Sequence, residues 1–391
     1  VLLGMHHIVS DGWSMARFLG ELGALYPACS RSEPSPLPPL AVQYGDFALW
    51  QRRRLSGEVL SGLSSFWQGQ LEGAPGLLEL PTDRRRPAVQ AHRGAQEAQR
   101  LPDLLAATLR EFAQSSGATL FIALATALAA LFHRLSGQDD VVLGTPLAGR
   151  TRSELEPLVG FFVNTVALRS RLEDDPAFGE LLARMRATTL AAHAHQEMPF
   201  EKLVEELAPE RNLGHSPIFQ AIVSLQNTAP EELALAGVEV TPMPVAREES
   251  RFDLEIAAAD TPNGLEILWR YDRDLWDGAT VARFAGHFAT LLAAAVAEPG
   301  RPVAELPLLS AGEREQVLVA WNDTARPYPR ERCVHELVEE QARLWPQAVA
   351  VVAGEERLTY LDLDRRANRL ARRLRRLGVG TETRVGVCVD R

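Results

Sequence analysis

Lysine is all but missing from this 391-residue chain: Lys202 stands alone among 41 basic residues. Its scarcity follows from a composition that favours arginine, and it excludes motifs that place a lysine on a phosphate, such as GxxxxGK[ST]. Cys29, Cys333 and Cys388 are too few and too scattered for a disulfide framework or a zinc site. A GxSxG elbow is absent, and Gly214-His215-Ser216 lacks its form. No charged leader with a cleavage site is present. The most apolar run, Leu120 to Phe132, is too short to span a bilayer and reads as a buried helix. These absences point to a reducing cytoplasm and away from a membrane, and the net charge of −10 points away from nucleic acid. An initiator Met is also lacking. Val1 stands only a few residues ahead of the most suggestive string, so the chain is expected to be a piece of a longer polypeptide.

The length allows two or three domains. Val1 to Met5 reads as a buried strand, and Asp11 or Gly12 starts a helix with Trp13, Ala16, Leu19 and Leu22 on one face. Helices follow over Tyr44–Leu55 and Val59–Leu71. From Leu104 the pattern alternates as in an α/β domain. Helices are expected over Leu104–Ser115, then to Leu135 with Thr119 as cap, then over Phe178–His195, Pro199–Leu207 and Gly278–Glu298. Strands are expected over Asp140–Gly144, Gly160–Arg169, Ile218–Gln226, Val238–Val245, Leu254–Ala259 and Leu265–Tyr271, the last entered through a turn at Pro262-Asn263-Gly264. Residues 311–330 read as a linker. Beyond them a smaller unit opens with helix Val334–Leu344, strand Ala348–Val352, helix Tyr360–Leu377 and strand Arg384–Val389. The arginines of that last helix form a solvated face rather than a nucleic-acid surface.

The string His6-His7-Ile8-Val9-Ser10-Asp11-Gly12 carries the chemistry. An imidazole with a pKa of ~6.5 accepts a proton near neutral pH. Asp11 at a helix start caps it, and Gly12 allows backbone to approach a ligand. The set suits a histidine acting on a nucleophile that the substrate brings. On spacing alone, two strand-end histidines could instead hold a turn. A metal site of His6, His7 and Asp11 is disfavoured, because adjacent strand residues point to opposite faces.

The string is followed, in order, by Tyr44-Gly45-Asp46-Phe47-Ala48-Leu49-Trp50, Val159-Gly160-Phe161-Phe162-Val163-Asn164-Thr165, His195-Gln196-Glu197-Met198-Pro199-Phe200-Glu201 and Arg211-Asn212-Leu213-Gly214-His215-Ser216-Pro217-Ile218-Phe219. Together these resemble the condensation domain of nonribosomal peptide synthetases, over residues 1 to about 310. Trp321-Asn322-Asp323-Thr324 and Leu358-Thr359-Tyr360-Leu361-Asp362-Leu363 resemble the start of an adenylation domain, over 331–391. The resemblance implies an α/β chloramphenicol-acetyltransferase-like fold, mainly its C-terminal lobe. Residues 1–100 would be the end of the N-terminal lobe and the crossover, with a tunnel between the lobes.

The implied reaction is aminolysis of a carrier-bound phosphopantetheinyl thioester by the amine of a downstream carrier-bound aminoacyl thioester. Upstream and downstream carrier domains, and the rest of the adenylation domain, are the implied partners. His7 and His6, with Asp11 and Gly12, are the implied catalytic motif, and His7 would orient the amine. Asp11 is expected to pair with an arginine, for which Arg150 is the candidate. Trp13, Ser14 and Asn164 are candidates for the tunnel or the substrate, with a buried turn or ladder partner as the other reading of Asn164, and no metal is implied. His195 and His215 are expected to serve structure. ATP and Mg would be needed only by a complete adenylation domain, whose phosphate loop would lie further on. Heterocyclisation relatives carry aspartates in place of both histidines and so do not fit. The residues after Gly12 look most like the subtype that joins two L-residues, more than an epimerisation relative. A catalytically silent scaffold is the alternative from another class, since a piece without its first lobe is expected to be inactive by itself.

Overall fold

A computed structural model describes residues 3–207, 212–226, 233, 235, 237–241, 243, 248–261 and 264–389. The chain divides into two compact units, Val1–Glu315 and Gln316–Arg391.

The first unit is built on a six-stranded mixed sheet. Its strands are β1 (Gly94–Arg100), β2 (Asp140–Leu147), β3 (Asn164–Arg171), β4 (Ala221–Gln226), β5 (Leu254–Thr261) and β6 (Gly264–Asp272), in the order β1-β6-β5-β4-β2-β3. β4 runs parallel to both β2 and β5, and the other neighbours are antiparallel. One face is covered by helices α4 (Asp103–Ser115), α5 (Leu120–Ser136), α6 (Phe178–Ala194) and α8 (Gly278–Ala297), while α7 (Phe200–Leu207) packs beside β3.

Alternation in the strands decides which side chains meet those helices. Leu254, Ile256 and Ala258 of β5, and Leu265, Ile267, Trp269 and Tyr271 of β6, are buried. Each fully buried large apolar side chain among them contributes roughly 1.5–3 kcal/mol. α5 is buried on every side from Ile122 to Phe132, as a helix apolar all round should be. Thr119 Oγ1 accepts the Ile122 N–H at 3.3 Å, and Gly137, at φ +72°, closes the last turn. α8 is long and apolar enough to cross a membrane, yet Phe288, Leu291 and Leu292 are fully enclosed in this core.

Ahead of the sheet come α1 (Gly12–Ser30), α2 (Tyr44–Arg54) and α3 (Gly57–Leu71). Trp67 of α3 joins the main core. Phe47 of α2 forms a small separate core with Leu155, Leu158 and Phe162.

Several elements depart from the sequence reading. Leu3–Met5 is exposed and not a strand, and no described strand pairs with it. β3 starts at Asn164, four residues later than expected, because 160–163 is held as a loop by contacts described below. β1 was not anticipated: it is an edge strand of polar sequence, GAQEAQR, in which only Gly94 is buried. The Pro262-Asn263 turn, Arg211 and part of the expected Val238–Val245 strand lie outside the described residues. Among the described residues, a Leu235–Val238 bridge is what marks that strand. The 311–330 stretch contains a helix, α9 (Ala311–Leu318).

In the second unit, α10 (Val334–Leu344) precedes a hairpin of β7 (Val349–Ala353) and β8 (Glu356–Thr359), and α11 (Tyr360–Arg376) follows. Gly354 turns the hairpin at φ +60°. Thr359 and Asp362 form a reciprocal cap on α11, whose arginines are exposed and include an Arg366–Glu356 ion pair at 3.0 Å. Residues 384–389 form no strand, because no described strand lies beside them to pair their backbone.

Candidate active site

His7–Val9 form a single 3₁₀ turn leading into α1. Asp11 is extended at φ −129° and caps α1, Oδ1 accepting the Ser14 N–H at 2.8 Å. The same carboxylate binds two distant segments. Its Oδ2 accepts the Phe162 N–H at 3.0 Å, and Oδ1 lies 3.3 Å from Arg150 Nη2. The Ser14 hydroxyl is wholly buried and 2.7 Å from both Asp11 Oδ1 and the Gly160 carbonyl. Arg150 Nη2 also donates to it at 2.9 Å. The Arg150 side chain is 1% exposed, with its guanidinium 4.0 Å from the centre of the Phe162 ring. Burial opposes the Asp11 charge. The Ser14 hydroxyl, the Phe162 and Ser14 N–H groups and Arg150 outweigh it and hold the carboxyl below its ordinary 3.8.

Two glycines make this junction possible. Gly149 sits at φ +66°, and a Cβ there would come 1.9 Å from the Phe162 carbonyl oxygen. A Cβ on Gly160 would come 2.2 Å from the Tyr44 ring, whose hydroxyl donates to the Phe161 carbonyl at 2.8 Å. The 160–162 loop is thus held by Asp11, Ser14 and Tyr44 together.

The His7 ring is set by this frame. Nδ1 lies 2.6 Å from the Ser10 carbonyl oxygen. A carbonyl only accepts, so Nδ1 carries the hydrogen, and in the neutral ring Nε2 carries the lone pair. The Phe161 ring stands at 89° to the imidazole, with centroids 5.2 Å apart. His6 has the opposite arrangement. Its Nδ1 accepts the Ile8 N–H at 3.1 Å and caps the turn.

His7, Asp11, Gly12 and Met15 border a cleft of about 1620 Å³. Nothing lies within 4 Å of the place where a Gly12 Cβ would stand. The sheet face not covered by helices forms the opposite wall. Its middle row (Ala98, Leu268, Ala257, Ser224) is mainly small and apolar, and charged residues flank it, including Glu255 and Arg270 paired at 2.7 Å. Among the described residues no group of three or more His, Cys, Asp or Glu side chains could hold a metal ion.

Three expected tunnel or substrate residues stand elsewhere. Trp13 donates its Nε1–H to the Glu156 carbonyl at 2.9 Å, under Arg150, and does not border the cleft. Ser14 is sealed into the Asp11 network. Asn164, expected at mid-strand, is the first residue of β3. Both its amide hydrogens go to the Gln196 and Met198 carbonyls, at 2.7 and 2.6 Å, and its oxygen takes the Phe200 N–H at 3.1 Å. With its donors spent on the 196–200 turn, it has none for a substrate. His195 bonds the Ala191 carbonyl through Nδ1 and stacks on Phe66 at 3.6 Å, and His215 bonds the Ser216 carbonyl. The sequence reading assigned no role to Tyr44, Phe161 or the cleft wall. The signal for the first two was Gly160 between two bulky residues. For the wall it was the polar alternate positions of β5 and β6.

Residues 1–318 match the Condensation domain family, and residues 338–391 match the AMP-binding enzyme family. A linear gramicidin synthase polypeptide of Brevibacillus parabrevis is 46% identical over the whole of this chain, which spans 5% of that protein's length. Among solved structures, the X-domain from teicoplanin biosynthesis is 30% identical, with a TM-score of 0.73 over 78% of this chain and 71% of that one. A four-domain nonribosomal peptide synthetase bound to AMP and glycine shares the fold at TM-score 0.80 and 22% identity, over 96% of this chain and 29% of that one. The chain thus has the α/β, chloramphenicol-acetyltransferase-like architecture, followed by the start of an adenylate-forming domain.

Proposed function

The chain belongs to the condensation-domain family, and from that premise we propose that its cleft joins two carrier-bound substrates by a peptide bond. An aminoacyl group on a downstream carrier's phosphopantetheine presents its amine at His7 Nε2. The amine nitrogen attacks the carbonyl carbon of the upstream thioester. The C–S bond breaks, the upstream thiolate leaves, and the proton lost by the nitrogen passes through His7 to the sulfur. The chain is then held by the downstream carrier. The orientation of His7, Nδ1 spent on Ser10 and Nε2 left as acceptor beside the cleft, is the single observation that carries this reading.

Magnitudes rank the contributions. An α-amino group has a pKa of ~7.7–8.0, so a mild base suffices. General-base help is worth roughly 10²–10⁴-fold, whereas holding two reactants in line is worth ~7–11 kcal/mol of barrier. The cleft exceeds the ~300–1000 Å³ of ordinary small-molecule sites, as two tethered substrates require. In this reading His7 works on the amine, His6 caps its turn, Asp11 with Arg150 fixes the frame, and Gly12 leaves the approach open. The residues after Gly12 support an L-to-L coupling. The partners are upstream and downstream carrier domains and the adenylation domain of the same polypeptide, in the cytoplasm. ATP and Mg²⁺ belong to that adenylation domain's own activation step.

The test is dipeptidyl-carrier formation by the full-length synthetase containing this chain, followed by mass spectrometry. His7→Ala is expected to lower the rate by roughly 10²-fold or more and leave a residue of positional catalysis. A correctly folded His7→Ala synthetase with unchanged turnover would falsify the role.

A further inference from the structure

The geometry points to Phe161 as a positioning residue for His7, presented to it by Tyr44. The Ser10 carbonyl holds one edge of the imidazole, but a single hydrogen bond does not stop the ring from swinging away and breaking it. Phe161 supplies the second restraint, an edge-to-face contact with centroids at 5.2 Å. Phe161 is itself on a loop, so its placement has to come from elsewhere. Three polar contacts provide it on both sides of the residue: Ser14 Oγ at the Gly160 carbonyl, Tyr44 Oη at the Phe161 carbonyl and Asp11 Oδ2 at the Phe162 N–H. The Tyr44 ring reaches its place only because Gly160 has no Cβ. It also lies edge-on to Phe162, with centroids at 5.1 Å. Two segments of the sequence, Tyr44–Trp50 and Val159–Thr165, therefore converge on the orientation of one imidazole. On its other side Phe161 lines a separate pocket of about 180 Å³, together with Phe47 and Trp50.

This inference rests on the proposed role of His7, and two readouts keep the two apart. The first is turnover of the full-length synthetase. The second is the ¹⁵N spectrum of histidine-labelled chain, with His7 identified by its loss in His7→Asn, which reports the ring's tautomer whether or not the ring is catalytic. Phe161→Leu removes the edge contact but also thins the wall of the second pocket. Tyr44→Phe removes only the hydroxyl that holds the loop.

Each variant is expected to lower kcat about tenfold and leave KM for both carriers within about twofold. Each should also move the His7 nitrogens from a single Nδ1–H tautomer toward a mixture, while Phe161→Tyr keeps wild-type behaviour in both readouts. Folded Phe161→Leu and Tyr44→Phe proteins with unaltered His7 nitrogens overturn the inference. So do altered nitrogens with unaltered kcat, provided His7→Ala is itself impaired. If His7→Ala is fully active, the catalytic reading fails, and the nitrogen spectra alone decide whether Phe161 holds the ring.

Discussion

Two aspartate–arginine pairs, almost equally shielded from solvent, behave in opposite ways. Asp11 and Asp253 are 5% and 3% exposed, and each faces an arginine. Asp11, beside the cleft, is held below the ordinary carboxylate range. Burial alone would raise it, but one hydroxyl, two backbone N–H groups and Arg150 overcome that. Asp253, where the 81–93 segment meets β5, is pushed up. Burial dominates there, the grip of Arg86 opposes it, and the neighbouring Asp272 adds to it. Asp253 has no capping turn to donate to it. An ion pair by itself does not bring a buried carboxylate below its ordinary range; several donors do.

The largest effect should come from breaking the well-supported pair. Arg150→Met removes a guanidinium that bonds Asp11, the Ser14 hydroxyl and the Leu155 carbonyl at once, and leaves Asp11 charged and enclosed. The first unit is expected to lose about 3–5 kcal/mol of stability in urea titrations followed by circular dichroism. Equal stability of mutant and wild type would mean that the other donors alone hold Asp11.

Arg86→Met should cost less, roughly 1–3 kcal/mol at pH 8, and less again at pH 5, because Asp253 escapes by taking a proton. A cost independent of pH would show that Asp253 keeps its charge without Arg86.

The smallest effect is in the titrations themselves. By ¹³C NMR of labelled aspartate, Asp11 should titrate below the ordinary 3.8 and Asp253 above it. The two then act in opposite senses on stability. The contribution of Asp11 is complete above its unfolded value of ~3.9 and is lost as the pH falls through the folded value. Asp253 costs stability once the pH rises above ~3.9, the cost reaching its full size at the folded value, and acid relieves it. Identical titrations would erase the contrast.

Legibility in the sequence followed the range of the interactions. α5 was readable because eleven consecutive buried residues carry the signal locally, with Thr119 and Gly137 marking its ends. β5 and β6 were readable from alternation. β1 was not, because nothing in GAQEAQR states that β6 lies beside it. Within the site, His7, Asp11 and Gly12 stood out as a string, and Arg150 was named from its place after a strand. For Asn164 the sequence left substrate contact and a turn partner both open, because an asparagine that binds substrate and one that clamps a turn look the same there. Only the carbonyls of Gln196 and Met198 distinguish them.

The sequence by itself determined most of the helices, the faces of the central strands and the short turn carrying His7 and Asp11, since each depends on neighbours within a few residues. Tertiary structure alone decided what those groups do. Asp11 meets Arg150 across 139 positions and the Phe162 amide across 151, and the Phe161 ring reaches His7 only when that same loop is docked. Contacts of such separation are specified by the packing of whole elements. The local pattern names the groups, and the fold supplies the hydrogen bonds that set their charge and their aim.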